Sequence, residues 1–169
     1  MLRALLAAAC LASAASAGAA DAVTLDDFDS LAGWSIEATE GVKARLRAAP
    51  GVEGGAMCLV FDFGRVSGYA LARRRIPLDF PANFELGFDV RGVGPPNALH
   101  VRFADESGDN VWWRPIAGFQ PPREWERLRI KKRHIAFAWG PSADHALAHT
   151  ATVELAAMAA ICAGPEASR

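Results

Sequence analysis

The amino-acid sequence predicts an all-β protein, built as an antiparallel β-sandwich or jelly roll. Short runs of alternating apolar and polar residues recur about every 10 to 14 residues, as they do in sandwiches and barrels. Turn-forming pairs such as Pro50-Gly51 and Pro121-Pro122 separate these runs. The length of 169 residues fits one domain, because single domains span about 100–200 residues.

Each predicted strand rests on its own alternation. In residues 84–90, Phe84, Leu86, Phe88 and Val90 alternate with polar residues or glycine, which is typical of a strand with one buried face. Residues 57–63 and 99–103 alternate in the same way. The predicted strands, in order, cover residues 23–28, 42–48, 57–63, 69–78, 84–90, 99–103, 111–116 and 127–131.

Two features of the strand pattern stay open from local sequence. Residues 145–161 are rich in alanine and favour a helix, whereas Thr150, Thr152 and Val153 favour a strand. A hairpin turn at Ser107-Gly108 places Phe103 opposite Trp112, so that Trp112 joins the core and Trp113 faces outward. A bulge of one residue reverses these two faces.

The composition excludes several classes of protein. Half of the residues (51%) are hydrophobic and 22% are charged, which is typical of a globular chain and not of a disordered one or a membrane bundle. Lysine and arginine number 18 against 19 acidic residues. The net charge of −1 therefore disfavours a strongly basic nucleic-acid-binding protein.

The first 20 residues have the features of a signal peptide. Arg3 precedes the apolar stretch 4–12, and Ala15-Ser16-Ala17 forms a cleavage site. We therefore expect a periplasmic or secreted protein with a signal peptide at 1–20, one domain at 21–163 and a short tail at 164–169. No membrane association is expected after cleavage. Two cysteines then remain, Cys58 and Cys162, which either form a disulfide or stay as unpaired thiols.

The sequence contains no legible catalytic motif. His145 and His149 have the spacing of a zinc-protease helix, but Ala146 replaces the glutamate that acts as general base. Asp26, Asp27 and Asp29 are interpreted as ordinary exposed acids, with a structural calcium site as the alternative. We expect no catalytic residue, no metal and no cofactor.

The segment 110–140 has the most distinctive chemistry. It holds four of the five tryptophans, and residues 123–133 carry six cations against two acids. Indole rings stack on the apolar faces of sugars, and polar neighbours bond to hydroxyls, so the segment suits an oligosaccharide. The alternative is that the tryptophans are core residues. Base stacking in a nucleic-acid complex would use similar residues, but export and the acidic charge disfavour it.

Several motifs of the sequence resemble one bacterial module. They are DESGDNVWW at 105–113, PREW at 122–125 and IKKRHIAFAWGP at 130–141, together with VSGYA at 66–70, Arg73-Arg74 and FEL at 84–86. They resemble the galactose-binding-like jelly-roll module of exported proteins of the coagulation factor 5/8 (discoidin-like) type, often joined to glycoside-hydrolase-like domains. The resemblance implies a non-catalytic, carbohydrate-binding role. It also implies a strand at 152–160, against the local preference for helix.

The resemblance further implies a closing strand after residue 160, and the sequence there does not supply one. We therefore expect an open sheet edge near 23–28 that could accept a partner strand. The alternative function is a structural or protein-interaction domain on a truncated chain. For the carbohydrate-binding function, the candidate contact residues are aromatic residues for stacking and polar residues for bonding to hydroxyls: Tyr69, His100, Arg102, Asn110, Trp112, Arg114, Lys132, His134 and Trp139.

Overall fold

The computed structural model describes residues 22–159, which form ten β-strands and one turn of 3-10 helix at Lys132–His134. The strands are β1 (Trp34–Ala38), β2 (Lys43–Pro50), β3 (Gly55–Asp62), β4 (Gly68–Asp79), β5 (Glu85–Val90), β6 (Asn97–Ala104), β7 (Val111–Phe119), β8 (Glu126–Lys131), β9 (Ala136–Trp139) and β10 (His149–Ala159). Within the described residues, no helix is long and apolar enough to cross a membrane.

The strands form two layers. One is a six-stranded antiparallel sheet with the order β1-β4-β10-β6-β7-β9. The antiparallel pairs β2-β3 and β5-β8 form two further sheets, and β5-β8 packs across the core from the large sheet. The prediction of an all-β antiparallel sandwich is confirmed.

The core lies between the six-stranded sheet and the β5-β8 pair. Val101, Phe103 and Trp112 from the large sheet pack with Ile130 of β8 and Leu147 of the loop before β10. Phenylalanines of the loop before β5 and of β5 itself contact this cluster. The alternation in 84–90 and 99–103 therefore marks two strands whose apolar faces meet across the core.

The predicted strand at 23–28 is wrong. Asp26 accepts hydrogen bonds from the Phe28 amide (2.9 Å) and from Trp34 Nε1 (2.8 Å), and Phe28 adopts a left-handed backbone with φ of 57°. These local bonds fold the segment into an irregular loop, because aspartate competes for backbone groups that a strand would pair. The first strand is instead β1, which the sequence pattern missed, as it missed β9.

Residues 149–159 form a strand, β10, as the family resemblance implied and the local helix preference did not. β10 lies in the middle of the large sheet and pairs with β4 on one side and β6 on the other. Ala156 and Ala157 are buried there. Pairing along both edges outweighs the intrinsic helix propensity of alanine, which is worth only tenths of a kcal/mol per residue.

The β6-β7 hairpin settles which tryptophan is buried. Phe103 pairs with Trp112 and Arg102 pairs with Trp113, so Trp112 faces the core and Trp113 faces outward. Gly108 closes the turn with φ of 80°, a conformation that glycine adopts without strain. The side chain of Asp105 accepts from the Gly108 amide at 2.9 Å.

Several predictions concern residues outside the described range 22–159. They are the signal peptide, the tail, the expected position of a closing strand and Cys162. Cys58 lies half-buried on β3, with its sulfur 3.9 Å from Nη2 of Arg47. A disulfide between Cys58 and Cys162 therefore stays a prediction.

Candidate functional site

The side of the six-stranded sheet that faces away from the core carries a band of polar and aromatic residues, here called the outer face. Cross-strand pairing places Arg73, Glu154, Arg102 and Trp113 side by side on β4, β10, β6 and β7. Cross-strand partners point to the same side of a sheet. The outer face thus comprises Glu37, Tyr69, Arg73, His100, Arg102, Trp113, Trp139, Glu154 and Met158.

One end of the outer face is a network of charged and polar side chains. Arg73 forms ion pairs with two carboxylates. Its Nη2 lies 3.3 Å from Oε2 of Glu37, and its Nε lies 2.8 Å from Oε1 of Glu154. Glu154 is only 6% exposed, and a buried carboxylate needs such a partner to offset its lost hydration. The hydroxyl of Tyr69 donates to Glu37, and this bond, with burial, raises the pKa of Tyr69. The network fixes the positions of donors and acceptors at the surface.

The other end of the outer face is aromatic. The rings of Trp113 and Trp139 meet edge to face, with centroids 5.5 Å apart. His100 packs against Trp113 in the same geometry at 4.9 Å. Trp113 is half-buried, whereas Trp139 on β9 is 45% exposed. Trp139 is therefore a large apolar ring presented to solvent beside hydrogen-bonding groups.

Arg102 joins the two ends. Its guanidinium carbon lies 5.4 Å from the ring centroid of Trp139, within cation–π range. Its Nη2 lies 3.6 Å from the sulfur of Met158 and 3.3 Å from Nδ1 of His100. Its Nε is buried and has no hydrogen-bond partner among the described residues. Arg102 is thus a half-buried cation that contacts both the aromatic and the polar part of the outer face.

The surroundings of His100 favour its neutral form. Burial, followed by the charge of Arg102, lowers the pKa of His100. An arginine can only donate, so the contact with Arg102 requires Nδ1 of His100 to accept and leaves the ring proton on Nε2. Burial also lowers the pKa of Arg102, without removing its charge.

The structure brings together four of the candidate residues named from the sequence. Tyr69, His100, Arg102 and Trp139 share the outer face. The outer face also includes Trp113, whose orientation the sequence left open.

The other candidates lie elsewhere. Trp112 is a core residue, 6% exposed, with its indole N–H donating to the His145 carbonyl at 2.8 Å. The side chain of Asn110 donates to Asp105 within the β6-β7 hairpin and accepts from the Ser142 amide. Because Arg114 lies one residue from Trp113 on β7, it points to the opposite side. Lys132 and His134 belong to the 3-10 turn after β8, in the other layer.

Sequence reasoning missed four members of the outer face: Glu37, Arg73, Glu154 and Met158. The single acid Glu154 within the apolar run 151–159 was a usable signal, since an unpaired carboxylate is costly in a buried strand. Among the sequence motifs, Arg73 belongs only to the family resemblance. Glu37 lies on β1, a strand that the pattern did not predict.

Within residues 22–159, no group of three or more histidine, cysteine or acidic side chains is placed to hold a metal ion. The acids considered for calcium bind protein groups instead. Asp26 pairs with Arg74 and accepts from Trp34, and Asp29 accepts from the Gly55 amide at 2.8 Å.

Similar folds occur among solved structures. One is the family 11 carbohydrate-binding module from Clostridium thermocellum in complex with a β-1,3-1,4-mixed-linked tetrasaccharide. It has a TM-score of 0.64 and 20% identity, over 79% of this chain and 84% of that one. The fold is a jelly-roll β-sandwich. The family 11 module of the cellulosomal cellulase Lic26A-Cel5E, from the same organism, has a TM-score of 0.56 and 19% identity, over 83% and 97% of the two chains. No family model and no curated protein matches the sequence.

Proposed function

We propose that this protein is a non-catalytic carbohydrate-binding module that binds an oligosaccharide on the outer face of its large sheet. The observation that carries the proposal is the position of Trp139, exposed beside Trp113 and the guanidinium group of Arg102. Solvent-presented aromatic rings next to fixed polar groups match the alternating apolar and hydroxyl surfaces of a sugar chain.

The outer face supplies both kinds of contact that a sugar needs. Trp139 offers a ring for stacking on the C–H face of one sugar unit. Arg102 and Arg73 donate to ring and hydroxyl oxygens, whereas Glu37 accepts from hydroxyl groups. The Arg73 network holds these groups in place before binding, so little side-chain entropy is lost when the ligand is bound.

The fold supports the same proposal. The family 11 module with the higher TM-score was solved with a β-1,3-1,4-mixed-linked tetrasaccharide. Mixed-linked β-glucan is therefore the first ligand to test. We propose no catalytic role, because both outer-face carboxylates, Glu37 and Glu154, are engaged by Arg73 and act as positioning groups.

Two narrower parts of the proposal rest on sequence alone. Export to the periplasm or the medium rests on the signal-like residues 1–20. A place among discoidin-like modules of the coagulation factor 5/8 type rests on the motifs shared with them. Protein sequencing of the exported chain tests the first, since cleavage after residue 17 or 20 is expected.

A polysaccharide panel with a matched pair of tryptophan variants tests the function. Trp139→Ala is expected to weaken binding at least about tenfold, as loss of an interface hot spot does. Trp125→Ala is the control, because Trp125 is half-buried in the segment before β8. The guanidinium carbon of Arg91 lies 4.8 Å from the centroid of its ring. Equal binding by both variants and the parent chain would overturn the outer face as the site.

A further inference from the structure

A cavity lies on the other side of the large sheet from the outer face. It has a volume of about 440 Å³ and opens where the loop before β5, the 3-10 turn after β8 and the loop before β10 meet. Trp112 lines it, and Trp112 and Trp113 point to opposite sides of β7. The cavity and the outer face are therefore separate surfaces.

The floor of this cavity is apolar and fixed. Trp112 and Leu147 are 6% and 4% exposed and belong to the main core. The indole N–H of Trp112 donates to the carbonyl of His145. The imidazole of His145 stacks on the ring of Phe137, with ring centroids 4.0 Å apart. The loop before β10 is thereby tied to the core, so the cavity is formed before any ligand arrives.

The rim of the cavity is positive. Lys132 and Arg133 line it, and no carboxylate lies among the described residues that do. The nearby Asp144 accepts from the Ala146 amide at 2.9 Å. Two cations at one opening raise the local concentration of an anion.

The cations of the basic segment 123–133 differ in their ion pairing. Arg127 and Arg129 on β8 pair across the small sheet with Asp89 at 2.9 Å and Glu85 at 2.8 Å. For Lys132 and Arg133, which follow directly, no ion pair is found within residues 22–159. Arg127 and Arg129 are thus paired along the small sheet, whereas Lys132 and Arg133 at the cavity are not paired among the described residues.

We propose that this cavity binds a small ring-shaped molecule bearing a carboxylate, specifically a uronic acid unit of a glycan. The carboxylate accepts hydrogen bonds from Lys132 and Arg133, because charge-assisted hydrogen bonds to oxyanions are stronger than those between neutral groups. The ring lies on the apolar floor, and Asn83 and His145 supply polar groups for the hydroxyls. The choice of a sugar acid rests on the proposed function, whereas the carboxylate site itself does not.

D-Glucuronate and D-glucose form the test pair, since they share a ring and differ at the carboxylate. Titration of the full chain is followed by NMR at the Trp112 indole N–H and the amides of Lys132 and Arg133. We expect glucuronate to shift these signals and glucose to leave them unchanged. NaCl at about 1 M should weaken binding, because the Debye length there is about 3 Å.

Variants assign the binding to the two cations. Lys132→Gln with Arg133→Gln should weaken glucuronate binding about tenfold or more, as the loss of charged hydrogen bonds does. Arg123→Gln removes an exposed charge outside the cavity lining and should leave binding within about twofold, as a distant surface charge does. Equal effects of the two changes, or equal shifts by glucose, would overturn the proposal.

Two further arms separate the remaining explanations. Inorganic sulfate that binds as tightly as glucuronate would show an anion site without a sugar ring and would overturn the proposal. Trp139→Ala should leave glucuronate binding unchanged, since Trp139 lies on the outer face. If the proposed function is wrong, the parent chain does not bind neutral polysaccharides. The titration of the cavity with glucuronate does not depend on that result.

Discussion

Replacing Trp112 by alanine should destabilise this protein strongly. Trp112 is 6% exposed, packs edge to face on Phe137 at 5.5 Å and sits in the central core cluster. Truncation of a buried aromatic costs about 3–5 kcal/mol. Loss of the indole donor leaves the His145 carbonyl without its 2.8 Å bond, which adds about 1 kcal/mol. The sum of about 4–6 kcal/mol approaches the whole stability of a small domain, about 5–15 kcal/mol.

Urea unfolding of paired variants measures this cost. Trp112→Phe keeps a ring and loses the donor, so a loss of about 1–3 kcal/mol is expected. Trp139→Ala is the control, because its ring is 45% exposed and outside the core; its free energy of unfolding should change by about 1 kcal/mol at most. A Trp112→Ala variant with the parent's unfolding midpoint, or a larger loss for Trp139→Ala, would refute the assignment of the two sheet faces.

Three further changes follow from the same structure. The lowered pKa of His100 means that the unfolded chain, with a histidine pKa of about 6.5, binds more protons. The free energy of unfolding should therefore fall as the pH drops below about 6.5. His100→Gln should remove that part of the pH dependence of the free energy of unfolding, measured by thermal melts between about pH 5 and 8. An unchanged pH dependence would exclude His100 as its source. Glu154→Gln should cost about 1–2 kcal/mol, below the 3–5 kcal/mol of a fully buried pair, because Arg73 is 46% exposed and keeps Glu37; a more stable variant in urea unfolding would contradict this. Gly140→Ala should cost about 1–3 kcal/mol, since φ is 139° and an added Cβ would lie 2.7 Å from the backbone of the β6-β7 hairpin; a neutral effect on the melting temperature would contradict that geometry.

Alternation predicted the strands that have one apolar face and clear turn residues at each end. The strand 84–90 is the best case, because its phenylalanines contact the core while Glu85 and Asp89 pair with arginines of β8. The method failed at β10, where pairing on both edges replaces alternation as the source of stability. It failed at 23–28 because one side chain, Asp26, redirects the backbone.

The candidate site was predicted only in part, for a topological reason. Its residues come from six strands, and apart from the β6-β7 hairpin the order β1-β4-β10-β6-β7-β9 joins strands that are far apart in sequence. Tyr69, His100, Arg102 and Trp139 were named from residue type. Arg73 and Glu154 join them through cross-strand register, which a single sequence does not specify.

The most direct test of sugar binding on the outer face is to map the bound sugar on the folded protein. The oligosaccharide that the panel identifies is added to the ¹⁵N-labelled full chain, and signals are followed at the Trp113 and Trp139 indoles and at the backbone of Tyr69 and Arg102. We expect the largest shifts to cluster on these outer-face residues and the Trp125 indole signal to stay in place. Shifts confined to β2 and β3, or to loops away from the outer face, would contradict it.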